Sequence, residues 1–151
     1  MLKLSKLTDY AVVALVDVAR REGGLVTAAQ LGNSTCLPQP TVAKILKMLA
    51  KGKVLTAQRG AAGGYSLARS AHDITVADIV TAIDGPIHLT ECAEEAAHDC
   101  QMSLGCVMQG RWNRVNQAIR IALQNVSLAD MAMDAPLASR LHQINMERER
   151  R

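Results

Sequence analysis

Residues 27–67 read TAAQLGNSTCLPQPTVAKILKMLAKGKVLTAQRGAAGGYSL. Thr27 and Gln30 stand three residues apart, the capping-box spacing that opens a helix, so a short helix is predicted over Ala28–Asn33. A turn follows at Ser34–Pro38. Pro40 then takes the place of a first helical residue, where its missing N–H costs nothing. Val42, Ile45, Leu46 and Leu49 recur at three- and four-residue steps as the buried stripe of a longer helix, and Gly52 ends it. Val54–Gln58 and Gly64–Leu67 read as two short strands around a flexible tip, Arg59-Gly60-Ala61-Ala62-Gly63. Short helix, tight turn, longer helix and a two-stranded wing make a winged helix-turn-helix, within a mainly α fold.

The polar side of this unit carries the functional reading. Lys44, Lys47 and Lys51 share one side of the longer helix, and Gln39 and Thr41 lie at its start. In a helix-turn-helix that N-terminal end meets base edges in the major groove. Lysines behind it meet phosphates. Arg59, at the wing tip, is suited to a minor groove narrowed by A·T pairs. A solvated lysine face is the plain alternative. The glycine-rich tip is no phosphate loop, because Arg59–Tyr65 lacks the GK[ST] ending and opens no helix.

Outward from this unit, Leu4, Leu7, Ala11, Ala14, Leu15 and Val18 mark one face of an amphipathic helix over Ser5–Arg21, ended by Gly23-Gly24. That periodicity, with Asp9 and Asp17 inside it, explains the N-terminal stretch better than an export signal does. Thr75 and Asp78 cap a fourth helix packed through Val76, Ile79, Val80 and Ile83, and Gly85-Pro86 ends it. Met108, Trp112, Val115, Ile119, Leu123 and Val126 suggest a long helix over Val107–Asn125. It exceeds what the small front domain would bury, so a homodimer interface is its expected use. Ser127 and Asp130 cap a short last helix. The expected organisation is a DNA-binding domain at 1–85, a cysteine loop at 86–106, a dimerisation helix and cap helix at 107–133, and a flexible tail at 134–151 ending MERERR.

Charge agrees with this division. Residues 1–70 hold ten Lys/Arg and three Asp/Glu; residues 71–151 hold seven and eleven, which together give the net +3. A basic front half suits a phosphate-binding surface. Tyr10, Tyr65 and Trp112 are the only aromatics. Single-strand binders need stacking platforms, so the expected partner is double-stranded DNA. No apolar run is long enough for a membrane span, and a reducing, cytoplasmic location is expected.

The stretch Glu91–Cys106 reads ECAEEAAHDCQMSLGC and holds three of the four cysteines. Seven residues separate Cys92 from Cys100, and five separate Cys100 from Cys106. Structural zinc sites pair cysteines two to four residues apart. The wider spacing favours a bulkier object, an iron–sulfur cluster. Three cysteines with one histidine could also hold zinc, and three unrelated thiols are the bland alternative. A thiol enzyme or electron carrier would more usually carry a CxxC pair or a nucleophilic cysteine beside a base; His98 lies near Cys100, but nothing marks an oxyanion hole. No enzyme is expected. Cys36, alone beside the recognition helix, is expected to be a small buried apolar residue.

The segments LTDYAVVAL, RGAAGGYSLAR and ITVADIV, with a triple-cysteine loop before a long helix, resemble the Rrf-two family of bacterial winged-helix transcription regulators across residues 1–130. DGPIHLTEC, GRWNRVN and VSLADM look most like its branch regulating SUF iron–sulfur assembly genes. The resemblance implies that Cys92, Cys100 and Cys106 are cluster ligands. One branch of the family adds a histidine three residues after the third cysteine, and here Gln109 stands there. Another branch uses an aspartate of the partner subunit near the start of the first helix, and Asp9 matches that position. Asp9 also suits the helix dipole without any ligand role. His98 is the next candidate and His88 a weaker one. Three cysteines plus Asp9 lean toward a 4Fe-4S cluster, with 2Fe-2S open. The implied function is a repressor of assembly genes on a palindromic operator, with nitric-oxide or redox sensing as the alternative signal. Proline at 38 and 40 departs from the better-known members, so the operator sequence does not carry over.

Overall fold

The computed structural model describes residues 3–21, 23–90, 106–108 and 110–133. Helix α1 (Lys6–Arg20) begins where Ser5 accepts a hydrogen bond from the Thr8 N–H at 3.1 Å. Ala11, Ala14, Leu15 and Val18 are buried along it. Helix α2 (Ala28–Thr35) carries the expected capping box: Thr27 Oγ1 accepts from Gln30 N at 3.2 Å, and Gln30 Oε1 accepts from Thr27 N at 2.9 Å. It runs two residues beyond the predicted Asn33. Ser34 and Thr35 donate their hydroxyls back to the carbonyls of Gln30 and Leu31, which lets these weak helix formers close the last turn.

Cys36 follows as the cap in the left-handed conformation, φ 58°. It is exposed, contrary to the expectation of burial. Leu31 is the only buried residue of α2, and the cap position lies off that contact. Helix α3 (Gln39–Lys51) starts one residue earlier than predicted, so Pro40 is its second residue. The N–H groups of Thr41 and Val42 both reach the Pro38 carbonyl, at 2.9 and 3.0 Å. The proline N lies among the amides a helix start leaves unpaired.

Strand β1 (Leu55–Gln58) pairs antiparallel with β2 (Gly64–Leu67), Leu55 opposite Leu67 and Gln58 opposite Gly64. Val54 falls just outside β1, because its N–H closes the end of α3 on the Leu49 carbonyl at 2.9 Å. Val26 adds a bridge to Tyr65 through two hydrogen bonds of 2.9 and 2.8 Å. A Cβ on Gly64 would lie 2.9 Å from the Val26 carbonyl oxygen, so this approach needs glycine.

Helix α4 (Val76–Asp84) opens on the Thr75–Asp78 capping box and ends at Gly85, φ 89°. Helix α5 (Asn113–Gln124) starts six residues later than the predicted Val107. Gly110 turns the chain at φ 71°, with Arg111 N on the Met108 carbonyl at 3.0 Å. Met108 and Trp112 therefore precede the helix and Val126 follows it; only Val115, Ile119 and Leu123 of the predicted stripe lie on it. Helix α6 (Leu128–Ala132) has its own box from Ser127 and Asp130.

The core gathers Leu15, Leu31, Ile45, Leu46, Ile79 and Leu128 with their neighbours. Each such side chain contributes about 1.5–3 kcal/mol by leaving water. Leu128 brings α6 back onto α1 and the front layer. Its N–H reaches the Ile74 carbonyl at 2.7 Å, and Val76 N reaches the Val126 carbonyl at 2.9 Å.

Candidate nucleic-acid interface and metal-ligand residues

The buried stripe of α3 (Val42, Ile45, Leu46, Leu49) fixes which side faces water. Gln39, Lys44, Lys47 and Lys51 are exposed, and Thr41 is half-buried. Neither Lys44 nor Lys47 has a carboxylate partner among the described residues. No described carboxylate neutralises their charge. Arg59 is exposed at the wing tip, beside Gly60 at φ 113°. A Cβ on Gly63 would collide with the Gln58 and Gly60 carbonyl oxygens, so the tight tip depends on that glycine.

Two ties hold this surface in register. Arg21 donates to Asp17 from Nε at 3.0 Å and from Nη2 at 2.8 Å, and Ser34 donates to the same carboxylate at 2.7 Å, joining α1 to α2. Arg69, just past β2, donates to the carbonyls of Lys53 (3.3 Å) and Asp73 (3.1 Å) and to Asp78 Oδ2 (2.7 Å). This latches the wing to the start of α4. Burial by itself pushes the Asp78 carboxyl up. The N–H and hydroxyl of Thr75 and the Arg69 guanidinium outweigh it and hold the group below the usual carboxylate range. Asp130 is also held low, by the Ser127 hydroxyl and N–H. Sequence reading missed the Arg69 latch, because an arginine that grips two carbonyls leaves no spacing signal.

Of the metal-ligand candidates, Cys92, Cys100 and His98 lie outside the described residues. Cys106 is a half-buried free thiol ahead of α5. Asp9 is exposed in the first turn of α1. Asp17, Asp78, Asp84 and Asp130 all accept side-chain or backbone donors; the Asp9 carboxylate has no partner among the described residues. His88 is half-buried, and its Nδ1 is buried without a hydrogen-bond partner among the described residues. It borders a cavity of about 430 Å³ with Lys3, Leu4, Asp84 and Leu123. No three His, Cys, Asp or Glu side chains converge among the described residues. The donors present nonetheless suit an iron–sulfur centre. Thiol, carboxylate and imidazole are each known ligand types for such centres; Cys106, Asp9 and His88 supply one of each, separately placed among the described residues, and two further cysteines lie in the same stretch of sequence.

A second feature, missed by periodicity, is Asn116. It is 2 % exposed, the one buried residue of α5. Its Oδ1 accepts the Leu89 N–H at 3.2 Å. By contrast Val115 is 44 % and Ile121 45 % exposed, so α5 leaves apolar surface uncovered in one chain.

Comparison with known proteins adds the following. The profile of the family described as "Rrf2: Iron-dependent Transcriptional regulator" matches residues 4–134. The HTH-type transcriptional regulator IscR of Photobacterium profundum is 28% identical over 134 residues, covering 88% of this chain and 77% of that protein. Among solved structures, T. potens IscR superposes with a TM-score of 0.60 at 30% identity, covering 91% of this chain and 90% of the other. CymR, the global cysteine regulator of B. subtilis, superposes with a TM-score of 0.64 at 25% identity, covering 89% of this chain and all of that one. These relatives are transcriptional regulators and not enzymes. Among the described residues no helix is long and apolar enough to cross a membrane.

Proposed function

The chain belongs to the Rrf2 family of transcriptional regulators, and from that premise we propose that it is an iron–sulfur-dependent repressor of iron–sulfur assembly genes. It acts as a homodimer on a palindromic operator in double-stranded DNA. The observation that supports the reading is an exposed lysine face on α3, without a carboxylate partner among the described residues, in the same small chain as three cysteines close together in sequence. Gln39 and Thr41 read base edges, Lys44 and Lys47 hold phosphates, and Arg59 enters the flanking minor groove. The exposed Val115 and Ile121 supply the dimer interface. That interface sets the distance between two recognition helices, hence the half-site spacing.

Cys92, Cys100 and Cys106 would hold the cluster, a 4Fe-4S centre favoured over 2Fe-2S. Asp9 of the partner subunit supplies the fourth ligand, and His88 or His98 stands in reserve. Bound there, the cluster would supply a cross-link that is lost when cluster supply fails, with nitric oxide or oxidants as the alternative signal. Two contacts support Asp9 as the residue that passes that constraint on. Its neighbour Thr8 is buried and donates to Asp84 Oδ2 at 2.8 Å, joining α1 to the end of α4. A carboxylate held from the partner therefore pulls on a helix packed directly on α2 and α3.

The test is purification without oxygen, followed by an absorbance spectrum, iron and sulfide analysis, and operator binding with and without the cluster. Brown protein that binds its operator more tightly than the cluster-free form is expected, with cluster stability reduced in Asp9→Ala. Equal operator affinity for both forms rules out the switch. Colourless protein with one zinc per chain gives the loop a structural role instead.

A further inference from the structure

We propose that Asn116 is a positioning residue that ties the entrance of the cysteine stretch to α5, so that the thiols and the dimer helix share one constraint. The proposal rests on the cluster reading above and deepens it.

Asn116 stands out on its own helix. The other side chains of α5 are exposed or half-buried, whereas this amide is buried. A buried amide is tolerated only when its polar atoms find partners. Its Oδ1 takes the N–H of Leu89, 27 residues earlier in the chain and three before Cys92. No helix or sheet ladder supplies Leu89 with an acceptor, so the side chain does what secondary structure does elsewhere. At the other end, the chain after Cys106 leads into α5 through a turn in which Arg111 N reaches the Met108 carbonyl at 3.0 Å and Asn113 N the Gly110 carbonyl at 3.2 Å. The Asn116 side chain thus ties the entrance of the stretch that carries the three cysteines to the same helix into which its exit leads. Bringing loop ends together is an entropic cost. A fold that holds both ends in advance spares the ligand set that cost, and any strain on the thiols reaches α5 through the same amide.

The test compares Asn116→Leu, similar in shape but with no acceptor, and Asn116→Asp, which keeps an oxygen in that place. Amide hydrogen exchange at Leu89 is followed in the full-length, metal-free protein. Cobalt(II) is the probe of the thiol set, read from its thiolate charge-transfer bands. In Asn116→Leu, exchange at Leu89 should quicken on the order of tenfold, the loss of one buried hydrogen bond. Exchange at Leu46 and Ile79 should not change. Cobalt affinity should fall with it, and Asn116→Asp should recover both. If the leucine variant does not fold, Asn116→Ala replaces it, with faster Leu89 exchange still expected. Unchanged exchange at Leu89 overturns the clamp. Faster exchange with unchanged cobalt affinity overturns its role in presenting the thiols. Failure of the wild-type protein to assemble a cluster while cobalt affinity still follows Leu89 refutes the cluster reading and leaves the clamp standing.

Discussion

Replacing Lys44 and Lys47 together by alanine tests the assigned DNA face most directly. Both lysines are exposed and have no carboxylate partner among the described residues. The opposite side of α3 keeps Val42, Ile45, Leu46 and Leu49 in the core, and alanine is the best helix former, so the variant should fold. Each phosphate contact releases counterions and contributes about 0.9 to the slope of log affinity against log salt. Losing two contacts should flatten the slope by about 1.8 per subunit. Over a roughly fourfold rise in salt the wild type should therefore lose about tenfold more affinity per subunit than the variant. The assay is fluorescence anisotropy on a labelled duplex of mixed sequence, titrated at several salt concentrations. No operator need be known, because the effect is independent of sequence. Removing two charges outside the face, at Arg111 and Arg114, separates contact from net charge and should leave the slope near the wild-type value. An unchanged slope in the lysine variant, or an equal change in the control, refutes the assignment.

Three other perturbations follow from the packing. Gly52→Ala would set a Cβ 2.5 Å from that of Ala82 on α4; urea unfolding should show a loss of about 1–3 kcal/mol from overpacking, and a neutral result would mean that α3 and α4 separate easily. Asp78→Asn should lower thermal stability at pH 7 yet converge with the wild type in acid. A carboxyl held below its usual range stabilises above the unfolded value, about 3.9, and that stability is lost as pH falls through the lower folded value; parallel melting curves down to pH 3 would contradict this. Ile121→Glu places a charge on the uncovered side of α5. Removing an isoleucine contact worth about 1.5–3 kcal/mol should raise the dimer Kd at least about tenfold in sedimentation, whereas an unaffected dimer would place the interface elsewhere.

The helix-turn-helix and wing were legible because local rules agree there. Capping pairs at Thr27, Thr75 and Ser127 all appear as hydrogen-bonded boxes, and the α3 stripe predicted both its core and its lysine face. Errors arose where a rule looked at one dimension only. The stripe through Met108 and Trp112 has helical spacing, but Gly110 turns the chain before α5 begins. Cys36 is the kind of residue usually buried, yet its cap position, not its chemistry, sets its exposure. Asn116 is polar and lies outside the apolar stripe, so periodicity gave no reason to expect it buried; its bond to the distant Leu89 amide is a tertiary contact. Of the proposed ligands, Cys106, Asp9 and His88 fall among the described residues, and that the Asp9 carboxylate finds no partner there is a three-dimensional fact that spacing does not contain.

The proposed switch needs a physical route from thiols to DNA, and among the described residues a continuous path runs from Leu89, three residues before Cys92, to the wing. Asn116 holds Leu89, and the chain runs back from Leu89 through His88 to Gly85 and α4. Helix α4 meets the end of α3 so closely at Ala82 that residue 52 has no room for a side chain. The other end of α4 holds Arg69 through Asp78, and with it the wing. Rigid, close-packed elements of this kind transmit displacement rather than absorb it. Contiguity alone does not establish coupling. The discriminating property is direction: perturbing Asn116 should alter thiol chemistry without changing the salt slope of the apo protein, whereas perturbing Lys44 and Lys47 should do the reverse. Only a junction variant at Gly52, between the two, should disturb the dependence of one on the other.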